Sequence, residues 1–149
     1  MGKILIQNKK VGLNYEIIKD YSAGMELLGF EVKSLRGKRG SLEGAHVSVR
    51  GGEAYLLGAS VPPYQAGNTP KGYEPERTRR LLLKKGEIAE LAEAENQKGL
   101  TIVPISVYND RKLKLRLAVA RGKKKYDKRE DIKKRDIRRE VERELRFKM

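Results

Sequence analysis

Apolar and polar positions alternate with a period of two along much of the first 120 residues, the spacing of a half-buried strand. Six short runs carry the pattern: Tyr15 to Asp20, Phe30 to Arg36, His46 to Arg50, Glu53 to Gly58, Leu100 to Tyr108 and Lys112 to Arg121. Six such strands suggest a barrel. Gly51-Gly52 between VSVR and EAYLL predicts a tight hairpin, because both residues can take positive φ and match the twist of the flanking strands. Asn109-Asp110-Arg111 predicts a second reversal. Ser22 is placed to cap a short helix over AGMELL that Gly29 would stop. A longer helix is predicted from Gly86 to Lys98, with Ile88, Leu91 and Ala92 on one stripe and Gly99 ending it. The stretch from Pro62-Pro63 to Pro75 is rich in Pro, Gly and Asn and reads as a long loop.

Past Gly122 the pattern changes. Residues 121 to 149 hold 14 Lys or Arg against 7 Asp or Glu, a net +7, while the four-fold longer 1 to 120 carries 20 against 13, also +7. Apolar residues are sparse in this tail, so it cannot bury enough surface to offset its own ordering entropy. Ile137, Val141, Leu145 and Met149 recur every four residues, a narrow stripe that would form a helix only against a partner. The expected organisation is a folded unit over 1–122 and a basic tail over 123–149.

Composition narrows the chemistry. The formal net charge of +14 and sequence pI near 10.0 point to a polyanionic partner. The absence of cysteine excludes disulfides, thiolate metal sites and a cysteine nucleophile, and fits a reducing cytoplasm. The apolar run Ile4-Leu5-Ile6 is too short for a secretory signal, and no segment has the ~18 apolar residues of a membrane span, so neither export nor membrane insertion is expected. The single histidine, His46, sits in a predicted strand, and Glu87, Glu90 and Glu93 share a helix face that reads as solvated. No nucleophile–base pair, metal-ligand spacing or phosphate-cradling loop is present, so no catalytic role, metal or cofactor is expected.

Basic residues on ordered elements are more informative. Within Lys112 to Val119 the leucines Leu113, Leu115 and Leu117 fall on one sheet face and Lys112, Lys114 and Arg116 on the other, so one strand supplies core and cationic track together. Arg77, Arg79, Arg80, Lys84 and Lys85 flank the apolar Leu81-Leu82-Leu83. Asn8-Lys9-Lys10 and Lys33, Arg36, Lys38 and Arg39 add two further patches. Tyrosines beside such cations suit RNA, whose unpaired bases stack on rings while cations neutralise phosphate.

Four strings are more specific than these patterns: GFEVKSLR at 29–36, PERTRRLLLKK at 75–85, KGLTIVPISVY at 98–108 and ARGKKKYDKREDIKKRD at 120–136. In order and spacing the chain resembles the SsrA-binding protein (SmpB) family over about residues 8–140. The resemblance implies an OB-fold-like antiparallel β-barrel with surface helices. It implies binding to the tRNA-like domain of transfer-messenger RNA, with alanyl-tRNA synthetase and elongation factor Tu with GTP engaged through that RNA, and delivery to stalled ribosomes for trans-translation. It also implies a tail that is disordered when free and becomes a helix in the empty mRNA channel, against 16S ribosomal RNA at the decoding centre, standing in for the codon–anticodon pair. A monomer is expected.

Residue by residue, the resemblance links Asn8, Leu82 and Lys114 to RNA binding, with Lys9, Lys10, Ser22, Lys33, Arg36, Arg77, Arg79, Lys112 and Arg116 as accompanying candidates. It links Lys123, Lys124, Tyr126, Asp127, Lys128 and Arg129, followed by Lys133, Lys134 and Arg135, to the decoding centre. Two departures stand out. Where the family writes YEAG this chain has Tyr21-Ser22-Ala23-Gly24, so a hydroxyl replaces a carboxylate, and Tyr73-Glu74-Pro75 replaces a His-Asp-Pro approach. From the residues alone, a generic RNA-binding OB module and an RNA-processing enzyme remain as alternatives.

Overall fold

The computed structural model describes residues 2–65, 67, 69–123, 132, 133 and 135. Strands β1 (Lys3–Gln7), β2 (Tyr15–Met25), β3 (His46–Arg50), β4 (Glu53–Leu57), β5 (Arg79–Leu82), β6 (Leu100–Asp110) and β7 (Lys112–Gly122) form one antiparallel sheet in the order β1-β6-β7-β2-β5-β4-β3. Helices α1 (Val11–Asn14), α2 (Gly29–Arg36) and α3 (Lys85–Glu95) lie between strands in sequence. This is the mainly β, OB-like class expected. The ladder does not close into a barrel: β1 and β3 remain edges, although β3 approaches β6 across the core.

Curvature comes from irregular register. The pairing slips between Ile17 and Lys19 in β2, between Pro104 and Ser106 in β6 and between Ile4 and Ile6 in β1. Such bulges bend a strand and tighten its twist. Pro104, which has no N–H to give to a ladder, sits at one of them. The curled sheet wraps a single main cluster that includes Ala23, Leu56, Leu81, Ile102, Leu115 and Leu117, with Leu91 and Ala94 of α3 covering it. Burying each such leucine contributes about 1.5–3 kcal/mol relative to exposure.

Several expectations hold. In β7 the buried Leu113, Leu115 and Leu117 alternate with outward Lys112, Lys114 and Arg116. Gly51 and Gly52 both have positive φ, 56° and 78°, and close the β3–β4 hairpin. The β6–β7 reversal is tighter than predicted, with Arg111 at φ 62° as its tip between paired Asp110 and Lys112. Helix α3 starts one residue earlier and stops three earlier than predicted, and Gly99 follows it at φ 85°.

Two expectations fail for tertiary reasons. The predicted strand Phe30 to Arg36 is helix α2, because its buried stripe is Glu31, Ser34 and Leu35, an i, i+3, i+4 set whose polar members hide the helical period. Glu31 also reaches back to the Leu28 N–H at 2.8 Å, the returning half of a capping box. The helix predicted to begin at Ser22 is instead the end of β2, where Ser22 pairs Arg116 and Ala23 pairs Leu115; ladder pairing overrides the local capping signal, and Gly29 opens α2 instead of ending a helix. Strands β1 and β5 escape the sequence pattern because each is short and sits among charges.

Candidate nucleic-acid interface

The register of the ladder sets one row of residues across four strands. Leu82 of β5 opposes Gly24 of β2, Gly24 opposes Lys114 of β7, and Lys114 opposes Tyr108 of β6. Opposed residues of an antiparallel sheet project to the same face, and of this row Leu82, Gly24 and Lys114 reach the surface while Tyr108, 5% exposed, is covered. Leu82 is 50% exposed, a large apolar side chain held in water between cations. Gly24 leaves a dip beside it: a Cβ there would lie 3.2 Å from the Cβ of Leu82.

A groove opens on each side of that dip, and Gly24, Leu82 and Lys114 line both. One has Leu27, Val32 and Leu113 beneath a rim of Arg36, Arg111, Lys112 and Lys114. The other mixes Ser22, Arg80, Lys84 and Lys85 with the acidic Glu53 and Glu87. The Ser22 and Tyr108 hydroxyls are hydrogen-bonded to each other on this face. Sequence reasoning singles out Ser22, Arg36, Leu82, Lys112 and Lys114, and the fold brings all five together here. It misses Gly24 and Arg111, since their place depends on cross-strand register.

The cations of this face differ in what they already hold. Arg116 gives two hydrogen bonds to Asp20, at 3.0 and 2.6 Å, and Lys114 lies 3.9 Å from Asp110. Arg80 pairs with Glu53 and Glu26. Arg36, Arg111 and Lys112 have no hydrogen-bonded or ionic partner among the described residues.

Arg79 requires correction as an RNA contact because it is buried, and Arg77, partly exposed, is engaged in the same ion cluster. Arg79 is 0% exposed and donates to Glu31, to the Tyr73 hydroxyl and to the carbonyls of Ala59, Arg77 and Pro75. Arg77 also binds Glu31 through Nε at 3.0 Å and through a shorter Nη2 contact. Glu31, itself fully buried, accepts from both arginines and from Tyr73. Burial alone would raise its carboxyl, but the bonds from Arg77, the Leu28 N–H, Arg79 and Tyr73 outweigh that and lower it to about 2. The cluster anchors the long loop to α2, the one Tyr73 hydroxyl proton being shared between Glu31 and the Val61 carbonyl, each 2.8 Å away.

The remaining candidates lie elsewhere. Asn8 is tied down by its side-chain amide, which donates to the carbonyls of Pro104 and Leu42 at 3.2 and 3.4 Å. Lys9 is exposed, and Lys10 pairs with Glu43 at 2.6 Å. These three sit by the start of β2, the far end of that strand from Gly24. Lys33 stands over the Tyr64 ring at 6.0 Å. Lys123 continues from β7 with its N–H on the Asn14 carbonyl and its Nζ on the Gly12 carbonyl. Lys133 and Arg135 are helical and exposed. Lys124, Tyr126, Asp127, Lys128, Arg129 and Lys134 lie outside the described residues, as does the apolar stripe from Ile137 to Met149.

Glu90 of α3 accepts from Lys19 and Tyr21 at 2.9 and 2.7 Å, so that face is partly bonded to the sheet. Burial, then the Glu90 bond, pushes the Tyr21 phenol up to about 12. Among the described residues no group of His, Cys, Asp or Glu is arranged to hold a metal, and no helix is long and apolar enough to cross a membrane.

A family model described as SmpB protein matches residues 5–147. An SsrA-binding protein of Gloeobacter violaceus is 46% identical, covering 97% of this chain and 95% of its own. One from Thermosipho africanus is 47% identical, covering 93% and 94%. A solved chain described under "tmRNA-SmpB: a journey to the center of the bacterial ribosome" superposes with a TM-score of 0.67 at 37% identity, over 85% of this chain and 93% of that one. The chain belongs to the SmpB family.

Proposed function

We propose that this protein is a non-enzymatic RNA-binding factor that recognises the tRNA-like domain of transfer-messenger RNA and delivers it to stalled ribosomes for trans-translation. The observation that carries the proposal is the outward row Leu82–Gly24–Lys114, in which one exposed leucine forms an apolar ridge beside a glycine dip and among cations. A ridge of this kind favours a shaped RNA with unstacked bases over a uniform duplex, because cations position the backbone and the apolar surface takes a base face. The names and setting of the relatives support the same reading.

In this proposal residues 1–122 bind the RNA, and the tail 123–149 orders as a helix in the empty mRNA channel, meeting 16S ribosomal RNA at the decoding centre. Tyr126 would stack on a ribosomal base while Lys123, Lys124, Lys128, Arg129, Lys133, Lys134 and Arg135 neutralise phosphate and Asp127 fixes the junction. Elongation factor Tu with GTP and alanyl-tRNA synthetase act through the RNA, and the protein works as a cytoplasmic monomer without a cofactor. The test compares the full chain with a form ending at Gly122. Both should bind the tRNA-like domain more tightly than an unrelated hairpin, and only the full chain should support tagging on stalled ribosomes. Equal affinity for the two RNAs contradicts specific recognition; normal tagging without the tail contradicts the decoding role.

A further inference from the structure

The seven strands fall into two groups that meet at one short seam. On one side β1, β6, β7 and β2 pair along most of their lengths, with β2 and β7 matched from Tyr15–Gly122 to Gly24–Lys114. On the other, β5, β4 and β3 form a smaller antiparallel ribbon. Among the described residues the ladder joins the two groups where β2 meets β5, through Gly24 with Leu82 and Met25 with Leu81. The Glu26 N–H on the Arg80 carbonyl, at 3.0 Å, continues that register. On the far side β3 only approaches β6 across the core. Cross-strand side-chain pairs stabilise a sheet, and glycine offers none, so the outer side of the seam is thin at Gly24. The outer ion pair of Arg80 with Glu26, at 3.5 Å, is exposed and contributes little.

The inner side is built differently. Glu31, in the first turn of α2, accepts from Arg77 and Arg79, the first just before β5 and the second at its start. Its bond from the Leu28 N–H fixes the beginning of α2, three residues after β2 ends. Arg77 spans the gap, since its Nη2 also reaches the Glu26 carbonyl on the β2 side at 3.5 Å. A buried carboxylate bonded by two guanidinium groups is held more firmly than a solvated pair, because water does not compete for it. The cluster therefore ties the end of β2 to the start of β5, across the seam that sets Leu82 beside Lys114. Opening the seam would carry Leu82 away from Lys114 and leave the pairing within each group intact. Resting on the RNA-binding reading above, we propose that the β2–β5 seam is a hinge and that Arg77 with Glu31 is the clasp that keeps it closed. Both are positioning residues: neither touches the RNA, and their effect on recognition passes through the spacing of Leu82 and Lys114. Attraction of any RNA by charge survives an open seam, whereas preference for one shape does not.

The test replaces the clasp by a covalent stitch. The chain has no cysteine, so Glu26→Cys/Arg80→Cys introduces a single thiol pair across the seam. The Cα separation of a hydrogen-bonded antiparallel pair, about 5.5 Å, accepts a disulfide. Affinities of the full chain for the tRNA-like domain and for an unrelated hairpin are measured with this pair reduced and oxidised, with and without Arg77→Met. Reduced, Arg77→Met should lower the preference for the tRNA-like domain about tenfold and leave hairpin affinity within about twofold. Oxidised, it should regain the preference of the cysteine pair alone to within about twofold. Arg77→Lys, which keeps the charge and loses the fork, stands in should Arg77→Met melt early, with a smaller loss and the same rescue. A preference unchanged by either substitution overturns the clasp and leaves the functional reading standing. A loss that oxidation does not repair overturns it equally, because Arg77 then acts on the RNA itself or through general unfolding. If the parent chain shows no preference for the tRNA-like domain, the functional reading falls. In that case, or if the cysteine pair alone abolishes the preference, the hinge is decided without RNA. Amide exchange at Glu26 should then be about tenfold faster in Arg77→Met than in the parent while exchange along β6 and β7 is unchanged, and equal protection at Glu26 overturns the hinge.

Discussion

Gly24 and Leu82 face each other across the β2–β5 ladder, and the Cβ that Gly24 lacks would stand 3.2 Å from the Cβ of Leu82 and 3.5 Å from its Cδ1. The backbone of Gly24 is outside the left-handed region, so alanine meets no conformational penalty there, and Leu82 is exposed enough to yield. Gly24→Ala should therefore leave the thermal midpoint within a few degrees of the parent while filling the dip and displacing Leu82. RNA affinity should fall several-fold, measured by titration with the tRNA-like domain; unchanged affinity would mean the dip is not part of the interface.

Buried charge makes a separate prediction. Removing one member of an internal ion pair leaves the other unpaired and typically costs about 3–5 kcal/mol. Glu31→Gln strands Arg79, which has no exposed surface, together with part of Arg77. A fall of that size in urea-unfolding free energy is expected. A change below about 1 kcal/mol would show that the carbonyls around Arg79 suffice.

The same carboxyl gives a pH dependence. Its folded value, about 2, lies below the ordinary 4.5, so the folded state binds its proton less readily than the unfolded chain does. The stabilisation is fully present above pH 4.5 and is lost as pH falls from there toward about 2. Wild-type protein should lose stability steeply in that window, and Glu31→Gln should show a flatter profile, measured by denaturant midpoints at a series of pH values.

Arg116 and Lys112 lie on the same face of β7 but differ in occupation, since Arg116 is held by Asp20. Lys112→Ala should reduce the salt slope of RNA binding by about one, whereas Arg116→Ala should change it less. Asp20→Asn frees Arg116 and should tighten binding at low salt. Equal slopes for the two alanine variants would indicate that RNA displaces Asp20.

What the sequence reveals depends on whether the governing contacts are local. The β3–β4 and β6–β7 hairpins are legible because Gly51-Gly52 and the leucine–lysine alternation after Lys112 encode turn and face within a few residues. Helix α2 is not, because burial of Glu31 and Ser34 breaks the apolar period, and the partners that let Glu31 be buried, Arg77 and Arg79, lie more than forty residues away. Arg79 misleads for the same reason: a cation in a basic cluster reads as surface until its partner is found. The outward Lys112 and Lys114 can be assigned from alternation and Leu82 from the family strings, but the row joining Leu82 to Lys114 through Gly24 exists only in the ladder register. Gly24 carries no side chain to attract notice, and its importance lies in the space it leaves.

The most direct test of the central claim is the ratio of affinities for the tRNA-like domain and for an unrelated hairpin of equal charge, measured at one salt concentration for the full chain and for Leu82→Ser/Lys114→Ala. The account predicts a large ratio in the parent that collapses toward one in the double variant while the melting temperature and hairpin affinity change little. A double variant that keeps the parent's ratio would contradict recognition through this face.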